Sequence, residues 1–146
     1  MNNNQEQVLS RLSKLSDGQY YKIEPATADK VTIFRKRATE KGVDKYVIDE
    51  LIDLYQVADN FYYEIVMGFH SCTDEMTFEW WNEKELWLGQ RDFNTLRWAN
   101  GKFCLGDASS ISFSTDYESD NLVGLLECCM REIENANNYD KLNSGE

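Results

Sequence analysis

Proline and histidine occur once each in 146 residues, as Pro25 and His70, and lysine plus arginine number only 15 against 26 acids. Each scarcity excludes something. His70 and Cys72 lie close together, but without a second Cys-x-x-Cys or a His-x-x-x-His they cannot complete the four-ligand set of a zinc site. The eight glycines are scattered, so neither GxGxxG nor GxxxxGK[ST] forms and nucleotide chemistry is disfavoured. No apolar run approaches the roughly 18 residues of a membrane helix, and the start MNNNQEQ lacks the basic and apolar regions of a signal peptide. A cytosolic protein without membrane contact is expected. There the four cysteines, Cys72, Cys104, Cys128 and Cys129, are expected to be reduced, and no cofactor is expected.

The shortage of cations is uneven along the chain. Residues 1–45 hold nine Lys/Arg and six Asp/Glu, a net +3, and residues 46–146 hold six and twenty, a net −14, which together make the −11 of the whole. A field of that sign repels nucleic acid and anionic lipid, and attracts basic proteins while speeding their encounter. Acidity also serves solubility alone, so charge by itself assigns no function.

What the chain has in abundance is aromatic. All four tryptophans fall within Met76 to Ser114, a stretch broken every few positions by Asn82, Gly89, Asn100, Gly101 and Gly106, which predicts short antiparallel strands. Alternation in Met76 to Trp81 places Met76, Phe78 and Trp80 on one side and Thr77, Glu79 and Trp81 on the other. In Glu85 to Gly89, Leu86 and Leu88 join the first side, the core, while Glu85 and Trp87 join Glu79 and Trp81. A face mixing carboxylates with large aromatics is the expected binding surface, although tryptophans at such positions also pack under helices.

Elsewhere the helical periods are clear. Val8, Leu9, Leu12 and Leu15 predict a helix over Gln5 to Leu15, and Thr27 caps a second that runs to Lys41, with Val31, Phe34 and Ala38 inward and Lys30, Arg35, Lys36, Arg37 and Lys41 outward. Gln19 to Glu24 is a first strand or an extended lead-in. Asp44 begins a third helix that buries Val47, Ile48, Leu51, Leu54 and Tyr55 and runs to about Val57. After a turn at Asp59-Asn60, Phe61 to Phe69 predicts one strong strand. A closing helix, capped by Ser119 or Asp120, carries Leu122, Leu125, Leu126, Cys129, Met130 and Ile133 as an apolar stripe. The length suits one domain, here an α+β domain with five or six mostly antiparallel strands, N-terminal helices and a C-terminal amphipathic helix; the polar ends, 1–7 and 135–146, are expected to fray.

The order of a helix, a strand, an acidic turn, ELWLGQRDFNTLRW, KFCLGDASSISFS and a closing amphipathic helix resembles the SUKH superfamily, known from its fungal cell-wall-regulator and bacterial members. The resemblance covers about Asp44 to Glu134, with Leu105-Gly106-Asp107 and Ser112-Phe113 matching the strand-turn-strand after the central strands. It implies an α+β protein-binding platform and, in bacteria, an immunity protein (antitoxin) that neutralises a secreted or contact-delivered toxin, often a nuclease. Independently of it, a nuclease must be basic to hold phosphates, and the −14 of residues 46–146 complements such a partner. The expected toxin contacts are Asp74, Glu75, Glu79, Trp81, Glu83, Glu85, Trp87 and Asp92, with a tryptophan as anchor and carboxylates steering.

Other readings compete. A regulatory or scaffolding module of the same fold differs only in its partner. Glu79 and Glu85 are candidates for the acid and base of a small hydrolase acting on sugars, His70 with Cys72 for a thiol nucleophile and its base, and Asp74, Glu75 and Asp107 for magnesium. The basic helix Lys30 to Lys41 offers phosphate contacts, against the charge of the whole chain. No orienting third group or metal-ligand spacing supports these readings, and the chain is expected not to be an enzyme.

Overall fold

A computed structural model of the chain describes residues 1–14, 21–63, 67–79, 85–91, 94–99, 101–107 and 117–131. In order, α1 (Asn3–Ser13), β1 (Tyr21–Lys22), α2 (Ala28–Glu40), α3 (Lys45–Val57), β2 (Tyr62–Tyr63), β3 (Met67–Phe69), α4 (Glu75–Phe78), β4 (Leu86–Arg91), β5 (Asn94–Ala99), β6 (Lys102–Asp107) and β7 (Tyr117–Ser119) are followed by α5, described over 122–131. The strands form one sheet in chain order, and every pairing is antiparallel. The architecture is α+β. The segment Phe61 to Phe69, expected as one strand, folds back on itself as β2 and β3, with Tyr62 opposite Gly68 and Tyr63 opposite Met67, which brings the described strands to seven.

Three helices begin where local chemistry starts them. Thr27 Oγ1 accepts the Lys30 amide at the head of α2, and Asn121 Oδ1, rather than Ser119 or Asp120, accepts the Gly124 amide at the head of α5. At α1, Asn2 and Gln5 form a reciprocal capping box, while Asn2 and Asn4 donate their side-chain amides to the two oxygens of Asp53 on α3. Within residues 1–7, Asn2, Asn4 and Gln5 are therefore tied to the fold; residues 135–146 lie outside the described residues.

The helices cover one face of the sheet. Val8 and Leu12 of α1, Phe34 and Ala38 of α2, Val47, Ile48, Leu51, Leu54 and Tyr55 of α3, and Leu122, Leu125, Leu126, Cys129 and Met130 of α5 share a single core with Leu86, Leu88, Leu96, Trp98, Phe103 and Leu105. Burying one such Leu or Ile contributes roughly 1.5–3 kcal/mol, so this stripe-against-sheet packing fixes which sheet face is left over. At β3 and β4 the backbones press together. A Cβ on Gly89 would lie 2.0 Å from the Gly68 carbonyl oxygen, so only glycine fits opposite Phe69.

One expected strand is a helix. The described part of Met76 to Trp81, residues 76–79, is not a strand; Glu75–Phe78 makes the turn α4, because the Asp74 carboxylate accepts the Met76 amide at 2.9 Å and Glu75 sits in the first turn, where the helix dipole favours an acid. Thr77 is buried beneath α4 and the Phe78 ring packs 5.8 Å from Phe34.

Candidate functional site

With the helices on the Leu86 and Leu88 side, the opposite face of the sheet carries the row Trp87, Arg97, Cys104 and Glu118, each directly across from the next. The division of β4 into a core side and a Glu85/Trp87 side is as the alternation predicts. The middle of this face is closed: Thr95, Arg97 and Cys104 are all buried. Its rim is more open, with Glu85 and Trp87 half-buried and Glu118 exposed.

The rim at the head of β4 is where the expected contacts gather. Trp87 is fixed from two sides: its indole Nε1 donates to the Gly89 carbonyl at 2.9 Å, and the His70 ring meets it edge-on with centroids 5.1 Å apart. His70 in turn donates its backbone amide to the Leu88 carbonyl at 2.8 Å and has Nδ1 3.2 Å from the Trp87 carbonyl oxygen. Burial pushes the His70 imidazole below its ordinary value, with the Trp87 carbonyl and the charge of Asp74 opposing. The loop from His70 to Asp74 then delivers α4, which packs on β4 and turns Glu75, Met76 and Glu79 to solvent. Met76 is 39% exposed, an apolar group set between two acids.

α4 is held from behind by α2. Arg37 makes a two-pronged pair with Glu75 at 3.1 and 3.0 Å and lies 4.1 Å over the Phe78 ring, and Lys41 Nζ donates to the Phe78 carbonyl at 3.4 Å. Two more cations of α2 are engaged likewise, Lys30 with Asp59 and Arg35 with Asp49. Four of the five basic residues expected on its solvated face thus hold the fold together, which leaves little of that charge for phosphate contacts.

Five of the eight expected contacts, Asp74, Glu75, Glu79, Glu85 and Trp87, are placed by α4 and the start of β4. Trp81, Glu83 and Asp92 lie outside the described residues, as does Trp80.

Sequence reasoning missed the polar node beneath this rim. Asp59, 3% exposed, accepts the Cys72 amide at 2.7 Å, the Ser71 hydroxyl at 3.1 Å and the Lys30 ammonium at 3.4 Å, while its own amide donates to the Glu24 carbonyl. A buried acid accepting three donors joins the end of α3, the lead-in to α2 and the loop that carries α4. The sequence signal was weak, a lone Asp-Asn turn whose partners lie 12, 13 and 29 residues away. The same node removes the thiol reading. Cys72 is fully buried and its thiol is pushed up to about 12, first by burial and then by Asp59, the opposite of what a thiolate nucleophile needs. Moreover, His70 and Cys72 occupy a loop and not one face of a strand.

Glu79 and Glu85 stand on either side of 80–84, which is outside the described residues; two open clefts are lined instead by α1 and α5. Among the described residues no group of three or more His, Cys, Asp or Glu is placed to hold a metal ion, and the side chain of Asp107 lies outside them. No described helix is long and apolar enough to cross a membrane. What the geometry defines is an α+β domain with an acidic, aromatic rim on a rigid support. No protein family, curated protein or solved structure matches this chain.

Proposed function

We propose that the chain is a cytosolic immunity protein of the SUKH type, which binds a basic toxin domain of the nuclease class stoichiometrically and performs no chemistry of its own. The observation that carries this reading is the gathering of Asp74, Glu75, Glu79, Glu85 and Trp87 around α4 and the head of β4. A half-buried tryptophan braced by His70 is a rigid anchor, and the carboxylates gathered with it, other than Glu75, which is paired with Arg37, supply the steering field toward a cationic surface. The resemblance of ELWLGQRDFNTLRW and KFCLGDASSISFS to that superfamily supports the class of partner.

The rim also suits inhibition better than catalysis. Glu75 and Glu79 are exposed on and just after α4, where carboxylates can stand in for nucleic-acid phosphates against a basic site, and the Cys72 thiol is sealed. The test is to co-express the chain with the product of the neighbouring gene and to score survival of the host and co-purification of the pair. Rescue with a one-to-one complex is the expected outcome; survival without the chain, or rescue without a complex, contradicts the reading.

A further inference from the structure

α1 and α5 lie side by side, and the seam between them is a groove remote in sequence from the rim. α1 lines it with Asn4, Gln7 and Arg11 at helical spacing, and α5 with Gly124, Glu127 and Arg131. The Arg11–Glu127 ion pair spans the seam, with an open cleft of about 200 Å³ on the side of Lys14 and Arg131 and another of about 440 Å³ on the side of Asn4 and Asn121.

The charge here runs against the rest of the molecule. In a chain of net −11, three cations, Arg11, Lys14 and Arg131, line this cleft with Glu127, the one carboxylate among the described residues lining it. The C-terminal end of α1 adds only about half a negative charge, which one of them offsets. The Glu127 carboxyl is held below its usual range, chiefly by the Arg11 hydrogen bond and then, against slight desolvation, by the charges of Arg11, Arg131 and Lys14. An anion is therefore stabilised at this spot, and Glu127 is the internal one.

We propose that the groove is a binding site for a small phosphorylated polyol, its phosphate held by Arg11, Lys14 and Arg131 and its hydroxyls by the Gln7 amide, Asn4 Oδ1 and Asn121 Nδ2, the amide atoms not used on Asp53 and Gly124. Guanidinium and ammonium donors match a phosphate dianion, which carries the charge needed to displace Glu127 from Arg11. The adjoining cleft shares the Arg11–Glu127 pair and adds the neutral hydrogen-bonding groups of Asn4, Gln7, Ser119 and Asn121, with no further cation among the described residues that line it, so it suits an uncharged hydroxylated moiety.

The test is a proton–nitrogen NMR titration of the full chain with inorganic phosphate and with ribose 5-phosphate, at constant ionic strength and with chloride as control. Saturable shifts at the Arg11, Lys14, Gly124 and Arg131 amides are expected, with ribose 5-phosphate the tighter of the two. The double variant Lys14→Gln/Arg131→Gln should weaken binding about tenfold, the loss of about 1.4 kcal/mol. Glu127→Gln should tighten it, because the internal competitor is gone; a Glu127 with a purely structural role would give no such gain. Shifts that stay linear in phosphate and are matched by chloride overturn the proposal on the wild-type chain alone, as does weaker binding by a folded Glu127→Gln variant.

Discussion

Asp59 is a buried polar side chain that ties three segments together. It is out of water, and an amide, a hydroxyl and an ammonium all donate to it. Truncation to Asp59→Ala orphans the Cys72 amide and the Ser71 hydroxyl, so the expected loss is roughly 2–4 kcal/mol, checked by the urea midpoint. Two titrating groups give a second expectation. The folded state depresses His70 below 6.5, so stability is full above that pH and falls as the pH drops through the folded value. It raises Cys72 from 9.0 to about 12, so stability present below pH 9 is lost as the pH rises toward 12. Chemical denaturation from pH 5 to 11 should show both flanks, and the imidazole signal of this sole histidine should titrate below 6.5. Neither group's role was legible in the sequence: the dyad at 70 and 72 reads as chemistry, whereas burial by distant segments makes one residue a brace for Trp87 and the other an inert thiol.

At the scale of elements, the helices were legible and α4 was not. In α2, α3 and α5 the apolar positions recur over three turns or more, and the described residues they predict to be buried are buried, except Val31, which is partly buried; Ile133 lies outside the described residues. Met76 to Trp81 is too short for period to decide, since alternation and a single helical turn fit it equally; the cap at Asp74 and the grip of Arg37 place its first three residues in α4. That grip is largely exposed on the Glu75 side, so Arg37→Gln should cost less than about 1 kcal/mol globally while raising amide exchange in α4 selectively. The division of the first part of β4 into two faces was legible because side chains alternate there, and it set Trp87 apart from Leu86 and Leu88 of the core; the register shift between Trp87 and Gly89 was not legible. The β3–β4 approach was not legible from sequence. Gly89→Ala forces a Cβ onto the Gly68 carbonyl and should lower the melting temperature far more than Gly101→Ala, where φ is +78° but the added Cβ meets nothing within 4 Å.

For the molecule as a whole, charge and fold point the same way. Lys30 and Arg35 are each used on an acid within the fold and Arg37 on the rim's own Glu75, whereas Glu79 is exposed at the rim and Asp74 and Glu85 are half-buried there. A basic partner is therefore expected to be drawn to one end of the protein and seated on α4 and the head of β4. The measurement that tests this most directly is the rate of association with the protein encoded by the neighbouring gene, at low and at physiological salt, for the wild type and for Glu79→Lys/Glu85→Lys. The account predicts a complex whose association slows with salt, and a double reversal that slows it about tenfold at low salt while the melting temperature holds. Equal rates for the two proteins at low salt, or no complex with the wild type, would contradict it.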